Sequence, residues 1–187
     1  MQIKERKIKG VFEIELEVHE DHRGFFMRTY DDTLFQDHGL EQRWVQENHS
    51  YSKQKGTIRG LHFQFPPNTE TKLVRAVHGE IFMVFVDIRK NSSTFGCWDS
   101  VILSEQNKNM LYVPKGLALG MCTLTEHCIL LYKMSNYYNP TSQGTIKWND
   151  SDLGIKWPVS NPLLSEKDSK AQSFKEFVEK FRGLEIE

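Results

Sequence analysis

The sequence has few cysteines and no long apolar run, and both shortages narrow what the protein can be. Its three cysteines, Cys97, Cys122 and Cys128, are odd in number and lack the spacing of a zinc site or a redox pair. No apolar stretch approaches the roughly 18 residues of a membrane-spanning helix. The charged segment Met1–Lys7 is not followed by an apolar segment, unlike a secretory signal. We therefore expect a cytoplasmic protein with reduced thiols and no membrane segment.

The sequence also lacks an excess of charge of one sign. Its 24 Lys and Arg residues nearly balance 25 Asp and Glu residues, giving a net charge of −1. This balance, without a Lys/Arg-rich run, gives no electrostatic basis for nucleic-acid binding. No internal repeat, linker or low-complexity segment divides the 187 residues, a length typical of one domain with a substantial core. We expect a single domain over residues 1–187.

What the sequence does contain is a series of short apolar segments, bounded by turns about every 10 residues. Val11–His19 alternates apolar and polar residues and is predicted to be a strand with one wet face. Lys72–His78 and Ile81–Arg89 are typical of a hairpin that turns at Gly79 and Glu80. Further strands are predicted at Phe25–Tyr30, Trp98–Leu103, Asn109–Val113, Gly120–Leu124 and Cys128–Ser135. The pattern predicts an all-β fold, either a β-sandwich or a jelly-roll barrel.

Two helices interrupt this pattern. The first is short, with Asp31 or Asp32 as its N-cap and Gly39 as its stop. The second is predicted over about residues 169–182, where apolar residues recur at helical spacing. Its apolar residues are Ala171, Phe174, Phe177, Val178 and Phe181. We expect this face to pack on the barrel, with a partner surface as the less favoured alternative.

One predicted strand, Thr57–Gln64, carries residues capable of chemistry. Because side chains alternate across a strand, His62 and Gln64 face one side while Leu61 and Phe63 face the other. The glycine before Leu61 allows another group to approach the backbone closely. The pattern fits either an ordinary surface face or a functional histidine, and taken alone it does not separate the two.

A jelly-roll barrel with an inward-facing histidine suggests a cupin, and cupins often hold a metal. The ligands of such a site must cluster in one cavity. Here His62 is followed two residues later by Gln64, and the strand Gly116–Gly120 carries no imidazole. The other histidines are scattered over turns and helix. The sequence therefore predicts a barrel without a metal or other cofactor.

If His62 is not a metal ligand, acid–base catalysis is the chemical role that we expect for it, because an imidazole with an ordinary pKa of about 6.5 can both accept and donate a proton. Such a histidine needs an orienting partner, an opposing acid and a positive group near any oxyanion. Asp168, Tyr132 and Lys72 are candidates. Each also has a structural alternative: Asp168 as a helix N-cap, Tyr132 as a core residue and Lys72 as a surface charge. Spacing alone leaves these alternatives open.

The order of motifs along nearly the whole chain, from about Gly10 to Asp168, resembles the dTDP-4-dehydrorhamnose 3,5-epimerase family. The first half of the chain contributes Arg23-Gly24-Phe25-Phe26, Val45-Gln46-Glu47-Asn48-His49-Ser50, Arg59-Gly60-Leu61-His62-Phe63-Gln64, Lys72-Leu73-Val74, Val86-Asp87-Ile88-Arg89 and Ser93-Thr94-Phe95-Gly96. The second half contributes Tyr137-Tyr138-Asn139-Pro140, Ile146-Lys147-Trp148-Asn149-Asp150, Ile155-Lys156-Trp157-Pro158 and Leu164-Ser165-Glu166-Lys167-Asp168. In combination these motifs are distinctive.

This resemblance implies a metal-independent cupin homodimer, acting in deoxysugar biosynthesis on a nucleotide-linked 4-keto-6-deoxy sugar. Inversion at C3, at C5 or at both would proceed through an enolate. By the same resemblance, His62 is the base and Asp168 its partner, Tyr132 is the acid on the opposite face, and Lys72 stabilises the enolate oxygen.

The resemblance also implies a set of substrate-binding residues. Arg59 and Arg23 correspond to ligands of the diphosphate, with Arg23 contributed by the partner subunit. The remaining implied substrate-binding residues are Gln46 and Asn48 at the nucleotide, Gln64, and Phe26 and Tyr138 as packing surfaces.

Two positions depart from the family pattern. Leu119 stands where the family usually has a histidine, and Met83 stands where it usually has an aspartate. Both changes remove polar groups from positions expected in or near the sugar pocket. We therefore expect inversion at a single carbon, or preference for a variant sugar, as an alternative outcome. A cupin that binds a nucleotide sugar without turnover is a further alternative.

Overall fold

A computed structural model describes residues 1–41 and 43–186. In chain order the strands are β1 (Gln2–Glu5), β2 (Phe12–Glu15), β3 (Val18–Asp21), β4 (Gly24–Met27), β5 (Gln46–Ser52), β6 (Ile58–Gln64), β7 (Lys72–His78), β8 (Glu80–Asp87), β9 (Trp98–Ser104), β10 (Met110–Val113), β11 (Leu117–Thr123), β12 (Cys128–Met134) and β13 (Gln143–Thr145). The helices are α1 (Asp32–Asp37), α2 (Glu166–Ser169) and α3 (Phe174–Phe181). None of the helices in these described ranges is long and apolar enough to cross a membrane.

Two antiparallel sheets form the body of the protein, and this confirms the all-β prediction. One sheet has six strands in the order β1-β2-β10-β7-β12-β5, and the other has five in the order β13-β6-β11-β8-β9. Apolar residues from both sheets pack into one core, among them Val74 and Leu130 from the first and Met83 and Phe85 from the second. The period-2 alternation seen in the sequence builds this core, because every second residue faces the opposite sheet.

The predicted hairpin between β7 and β8 is wrong. β7 pairs with β10 and β12, whereas β8 pairs with β9 and β11, so the two strands lie in opposite sheets. Between them, Gly79 has φ +75°, and a Cβ there would lie 2.6 Å from Oγ1 of Thr125. The turn thus carries the chain from one sheet to the other. Alternation identifies a strand but not its partner, and this is the reason for the error.

The predicted strand Val11–His19 is also divided. β2 ends at Glu15 within the six-stranded sheet, and β3 begins at Val18 and pairs with β4 in a separate two-stranded sheet. The alternation does not show where the chain leaves the sheet. The short helix that follows is confirmed: Asp31 is the N-cap of α1, and its carboxylate accepts from the backbone N–H of Leu34.

The C-terminal helix begins later than predicted. Residues 166–169 form α2, and α3 begins at Phe174 after its N-cap Ser173. A capping box between Ser173 and Glu176 fixes this start, because each side chain satisfies a backbone N–H of the other residue. The apolar residue Ala171 therefore lies outside the helix, and the prediction of about 169–182 joined two elements.

The expected packing of the C-terminal helix is confirmed. Its Phe177 ring lies 5.5 Å from that of Phe63, and its Phe181 ring lies 4.5 Å from that of Phe65. These rings belong to a second apolar cluster that also contains Leu61. The five-stranded sheet is thus covered on both faces, which places β6 between two cores.

Candidate active site

An irregularity in β6 turns two polar side chains toward the same space. His62 lies opposite Leu119 of β11, and Arg59 lies opposite Met121, so the four residues 59–62 of β6 span the same length as the three residues 119–121 of β11. This extra residue is a β-bulge, which interrupts the alternation between faces. Arg59 and His62 consequently line one cavity, although strict alternation would have placed them on opposite faces.

Gly60, within the bulge, provides the close approach predicted from the sequence. Its φ is +115°, and a Cβ at this position would lie 2.6 Å from the backbone oxygen of Leu119. A side chain is therefore excluded by the neighbouring strand and by the backbone conformation.

His62 forms a short hydrogen bond with a carboxylate that is distant in sequence. Its Nε2 lies 2.6 Å from Oδ1 of Asp168, which is 3% exposed. The N-cap of α2 is Ser165, whose hydroxyl accepts from the backbone N–H of Asp168, so the N-cap alternative for Asp168 is wrong. When the Nε2–H of His62 donates to Asp168, Nδ1 is left to accept a proton.

The environment of Asp168 keeps its carboxylate ionised at neutral pH. Burial by itself would raise the pKa of Asp168, but hydrogen bonds from His62, Ser165 and the backbone of Gly60, with the charge of His62, lower it below the ordinary value. A buried carboxylate in this state holds the imidazole in position and stabilises the imidazolium that forms on proton transfer.

Tyr132 and Lys72 face His62 from the other sheet. They lie on the adjacent strands β12 and β7, where Tyr132 is opposite Val74 and Met134 is opposite Lys72. Every second residue of these strands faces inward, so Lys72 and Tyr132 face the same side as Val74, which belongs to the apolar core. The site therefore occupies the end of the space between the sheets.

The three side chains of His62, Lys72 and Tyr132 separate two adjoining cavities. The polar cavity has a volume of about 330 Å³ and is also lined by Gln46, Asn48, Gln64, Glu70, Tyr138 and Gln143. The apolar cavity has a volume of about 210 Å³ and is also lined by Val74, Met83, Leu119, Met121 and Leu130, together with Arg59. A bound molecule can thus contact the same three groups from either side.

Tyr132 is suited to donate a proton. Burial raises the pKa of its phenol above the ordinary value, the charge of Glu70 raises it further, and the charge of Arg59 opposes them. The phenol is therefore protonated at neutral pH. Tyr132 also packs against the main core, so the core alternative describes part of its surroundings.

Lys72 is not a surface charge, because its side chain is only 12% exposed. Its Nζ lies 2.7 Å from Oε1 of Glu70, a residue that the sequence analysis did not identify. The sequence feature that could have identified Glu70 is its place two residues before Lys72, on the segment between a proline pair and a strand. Such a spacing is common on surfaces, and it does not reveal that the pair is buried.

Gln64 lines the polar cavity, but its amide is already engaged by the protein. Its Nε2 donates to the backbone oxygens of Asn68 and Tyr137 and to Oε2 of Glu70, while its Oε1 accepts from the backbone N–H of Asn139. These bonds fix the loop beside the cavity. Gln64 therefore has no free amide N–H with which to make the predicted hydrogen bond to the substrate.

The other predicted binding residues divide between the two cavities. Gln46, Asn48 and Tyr138 line the polar cavity, and Oε1 of Gln46 accepts from the backbone N–H of Tyr138 at 3.0 Å. Arg59 lies instead at the apolar cavity, where its guanidinium donates to the hydroxyl of Ser52 and to a backbone oxygen. These bonds use two of its five N–H groups and leave the others for an anion.

Arg23 and Phe26 lie outside both cavities. They belong to the hairpin of β3 and β4, where Arg23 pairs with Asp21 at 2.6 Å and Phe26 is 68% exposed. A single chain does not bring these residues to His62.

Met83 and Leu119 both line the apolar cavity, on the paired strands β8 and β11, where Met83 is opposite Met121 and Leu119 is opposite Phe85. Met83 is 1% exposed. The two departures from the family pattern therefore lie beside the catalytic candidates. Among residues 1–41 and 43–186, no three His, Cys, Asp or Glu side chains come together as a metal-binding group.

Comparison with known proteins extends the likeness over the whole fold. The model of the family described as dTDP-4-dehydrorhamnose 3,5-epimerase matches residues 5–176. The dTDP-4-dehydrorhamnose 3,5-epimerase of Salmonella typhimurium is 49% identical over 166 residues, which cover 88% of this chain and 90% of that protein.

Solved structures agree. The dTDP-6-deoxy-D-glucose-3,5-epimerase of Legionella pneumophila, in complex with dTDP-4-keto-L-rhamnose, has a TM-score of 0.92 and 37% identity, covering 100% of this chain and 98% of that one. A 3'-monoepimerase from Streptomyces bikiniensis, in complex with dTDP-quinovose, has a TM-score of 0.90 and 30% identity, covering 96% and 91%. With cupin-type sheets, a His62–Asp168 pair and a match over most of its length, the chain belongs to the dTDP-4-dehydrorhamnose 3,5-epimerase family.

Proposed function

We propose that the protein inverts C3, C5 or both in a dTDP-linked 4-keto-6-deoxy sugar. The observation that carries this proposal is the hydrogen-bonded pair of His62 and Asp168, which faces Tyr132 and Lys72 across one site. Such an arrangement supplies a base, an acid and a cation, the groups needed to epimerise a carbon next to a ketone. The family relationship and the dTDP-sugars named for the solved relatives support the choice of substrate.

The reaction begins with removal of a proton from the carbon beside the ketone. Nδ1 of His62 takes this proton, and Asp168 stabilises the resulting imidazolium. The electron pair of the broken C–H bond moves to the ketone oxygen, giving an enolate whose negative charge is stabilised by the ammonium of Lys72. Tyr132 then donates its proton to the opposite face of the carbon. The ketone re-forms and the configuration is inverted.

We place the nucleotide in the polar cavity and the sugar between His62 and Tyr132. Gln46 and Asn48 offer amide groups there, and Tyr138 is half exposed and offers an aromatic face. In this arrangement Arg59 lies in the apolar cavity, and the three side chains shared by both cavities stand between it and the residues that contact the nucleotide. Its free N–H groups then face either the sugar or a phosphate that bends back toward the apolar cavity.

We further propose that the protein acts as a homodimer, with the β3–β4 hairpin of one subunit completing the site of the other. The hairpin forms a sheet of its own and exposes Phe25 and Phe26 at 56% and 68%. Two adjacent exposed phenylalanines are typical of a contact surface. Arg23 lies beside them and would supply a second cation for the diphosphate.

Inversion of a single carbon is the second candidate, and the apolar cavity favours it. A hydroxyl directed at Met83 and Leu119 would lose its hydrogen bonds to water without gaining others, which is costly. The sugar is therefore restricted in how it can turn to present C3 and C5 in succession. The similarity to a 3'-monoepimerase is consistent with this candidate.

Deuterium incorporation tests both candidates. The protein is incubated in D₂O with dTDP-, CDP- and GDP-linked 4-keto-6-deoxyglucose, and NMR follows exchange at C3 and C5. We expect exchange on the dTDP-sugar. Label at one carbon supports the single inversion, and Leu119→His with Met83→Asp should then add the second. Rapid exchange at both carbons in the unsubstituted protein would exclude the single inversion. Binding without exchange would leave a nucleotide-sugar-binding cupin.

A further inference from the structure

The buried carboxylate of Glu70 has no part in the mechanism above, although it contacts one of the groups that the mechanism uses. Glu70 lies on the segment between β6 and β7 and is 8% exposed. Its Oε1 is 2.7 Å from Nζ of Lys72, and its Oε2 accepts from Nε2 of Gln64 at 3.0 Å. Gln64 is in turn anchored to two backbone oxygens, so Glu70 is fixed at both ends.

The need for such a partner follows from the position of Lys72. An ammonium group is a compact charge on a flexible four-carbon stem, and removing it from water is costly unless it is paired. Lys72 borders the apolar cavity, where Val74, Met83 and Leu130 offer no acceptor. Glu70 supplies a charged partner to this ammonium at 2.7 Å.

A fixed ammonium matters more for this reaction than for simple binding. The charge on the ketone oxygen develops only as the proton leaves carbon, and a cation lowers the barrier when it already stands at that position. Glu70 contacts this cation directly.

We propose that Glu70 is a positioning residue, which holds the ammonium of Lys72 at the site of the enolate oxygen. This inference rests on the proposed epimerase function. It adds Glu70 to the four residues that take part in the proposed reaction. Glu70 accepts no proton from the sugar in this scheme. Its effect on the reaction passes through Lys72.

A double-mutant cycle tests this dependence. Glu70→Gln keeps the size of the side chain and can still accept from Gln64, but it carries no charge. We expect its kcat on the dTDP-sugar to fall on the order of 10²-fold, the loss expected when a reacting group is misplaced, with KM much less affected. In a Lys72→Met background the same substitution should cause no further fall in kcat.

Two more variants test whether the loss of kcat comes from the position of the carboxylate at residue 70, from its charge, or from the removal of any ion pair. Glu70→Asp keeps the charge at a shorter reach and should recover part of the lost kcat; it replaces Glu70→Gln in the cycle if the latter does not fold. Glu47→Gln is the matched control, because Glu47 pairs with Lys133 at 3.1 Å outside both cavities. This control should retain the parental kcat.

Three results would overturn the role of Glu70. They are a parental kcat in a folded Glu70→Gln protein, a loss confined to KM, and losses that multiply in the double variant. All three presuppose that the unsubstituted protein exchanges deuterium on the dTDP-sugar. Absence of exchange in that protein would instead remove the proposed function, and the positioning role with it.

Discussion

At the residue scale, the two halves of the reaction depend on different side chains and can be separated. Tyr132→Phe removes the donor but leaves His62, Asp168 and Lys72 in place. We expect proton removal to continue, so that deuterium still enters the substrate, while net inversion falls by roughly 10²-fold or more. Comparing label in recovered substrate with label in product measures the two steps.

The matched control for this prediction is Tyr112→Phe. Tyr112 is 6% exposed in a separate core cluster and lines neither cavity, and its hydroxyl accepts from the backbone N–H of Glu41. Its loss should leave the ratio of exchange to inversion unchanged. Equal loss of exchange and inversion in Tyr132→Phe would show that this tyrosine positions the substrate and is not the acid.

The same scale shows what a sequence can reveal about a site. His62 was recognisable because a titratable side chain stood in an otherwise core-like strand. Its partner Asp168 is 106 positions away, and only the resemblance connected the two before the fold did. Glu70 was missed because burial of an ordinary acidic side chain has no local signal.

At the element scale, the geometry of the site depends on the bulge in β6. Gly60→Ala would place a Cβ 2.6 Å from the Leu119 backbone oxygen, at a φ of +115° that L side chains rarely adopt. We expect the free energy of unfolding to fall by about 1–3 kcal/mol from the backbone conformation alone. The rate of deuterium exchange into the substrate should fall by a larger fraction than the free energy of unfolding, because His62 moves. Urea unfolding and deuterium exchange measure the two effects.

Gly154→Ala is the control for that experiment. Gly154 has φ +59°, but its added Cβ would meet no atom closer than 3.8 Å, and it lies outside both cavities. It should lose some stability and retain exchange. Full exchange in Gly60→Ala would mean that the bulge does not position His62.

Strands were easier to predict than their partners, and this too has a physical cause. Alternation reports which face of a strand is buried, so β6, β7 and β12 were located closely. It carries no information on which strand lies alongside, and the hairpin at Gly79 was therefore assigned wrongly. The bulge in β6 could not be predicted from the sequence for a similar reason, because an extra residue in a strand does not change the composition of the strand.

At the scale of the whole molecule, the proposed dimer predicts that two defective subunits can restore one another. Arg23→Ala and His62→Asn each disable the site, but in a mixed dimer both defects fall in one site if Arg23 acts across the interface. The other site is then intact. In a freely exchanging equal mixture, about a quarter of the sites should regain activity. No recovery would place Arg23 in the site of its own chain, and parental activity of Arg23→Ala by itself would place Arg23 outside the reaction.

Two sheets, joined by residues from both into one core, bring His62 and Tyr132 to opposite walls of the same space. This arrangement is the basis of the account, and it requires His62 to be the group that removes the proton. The most direct test is the rate of deuterium entry into the dTDP-4-keto-6-deoxy sugar by His62→Asn, with its circular dichroism spectrum and oligomeric state checked against the parent. We predict that exchange falls by roughly 10²–10⁴-fold in a folded protein. Exchange at a near-parental rate would contradict the assignment of His62 as the base.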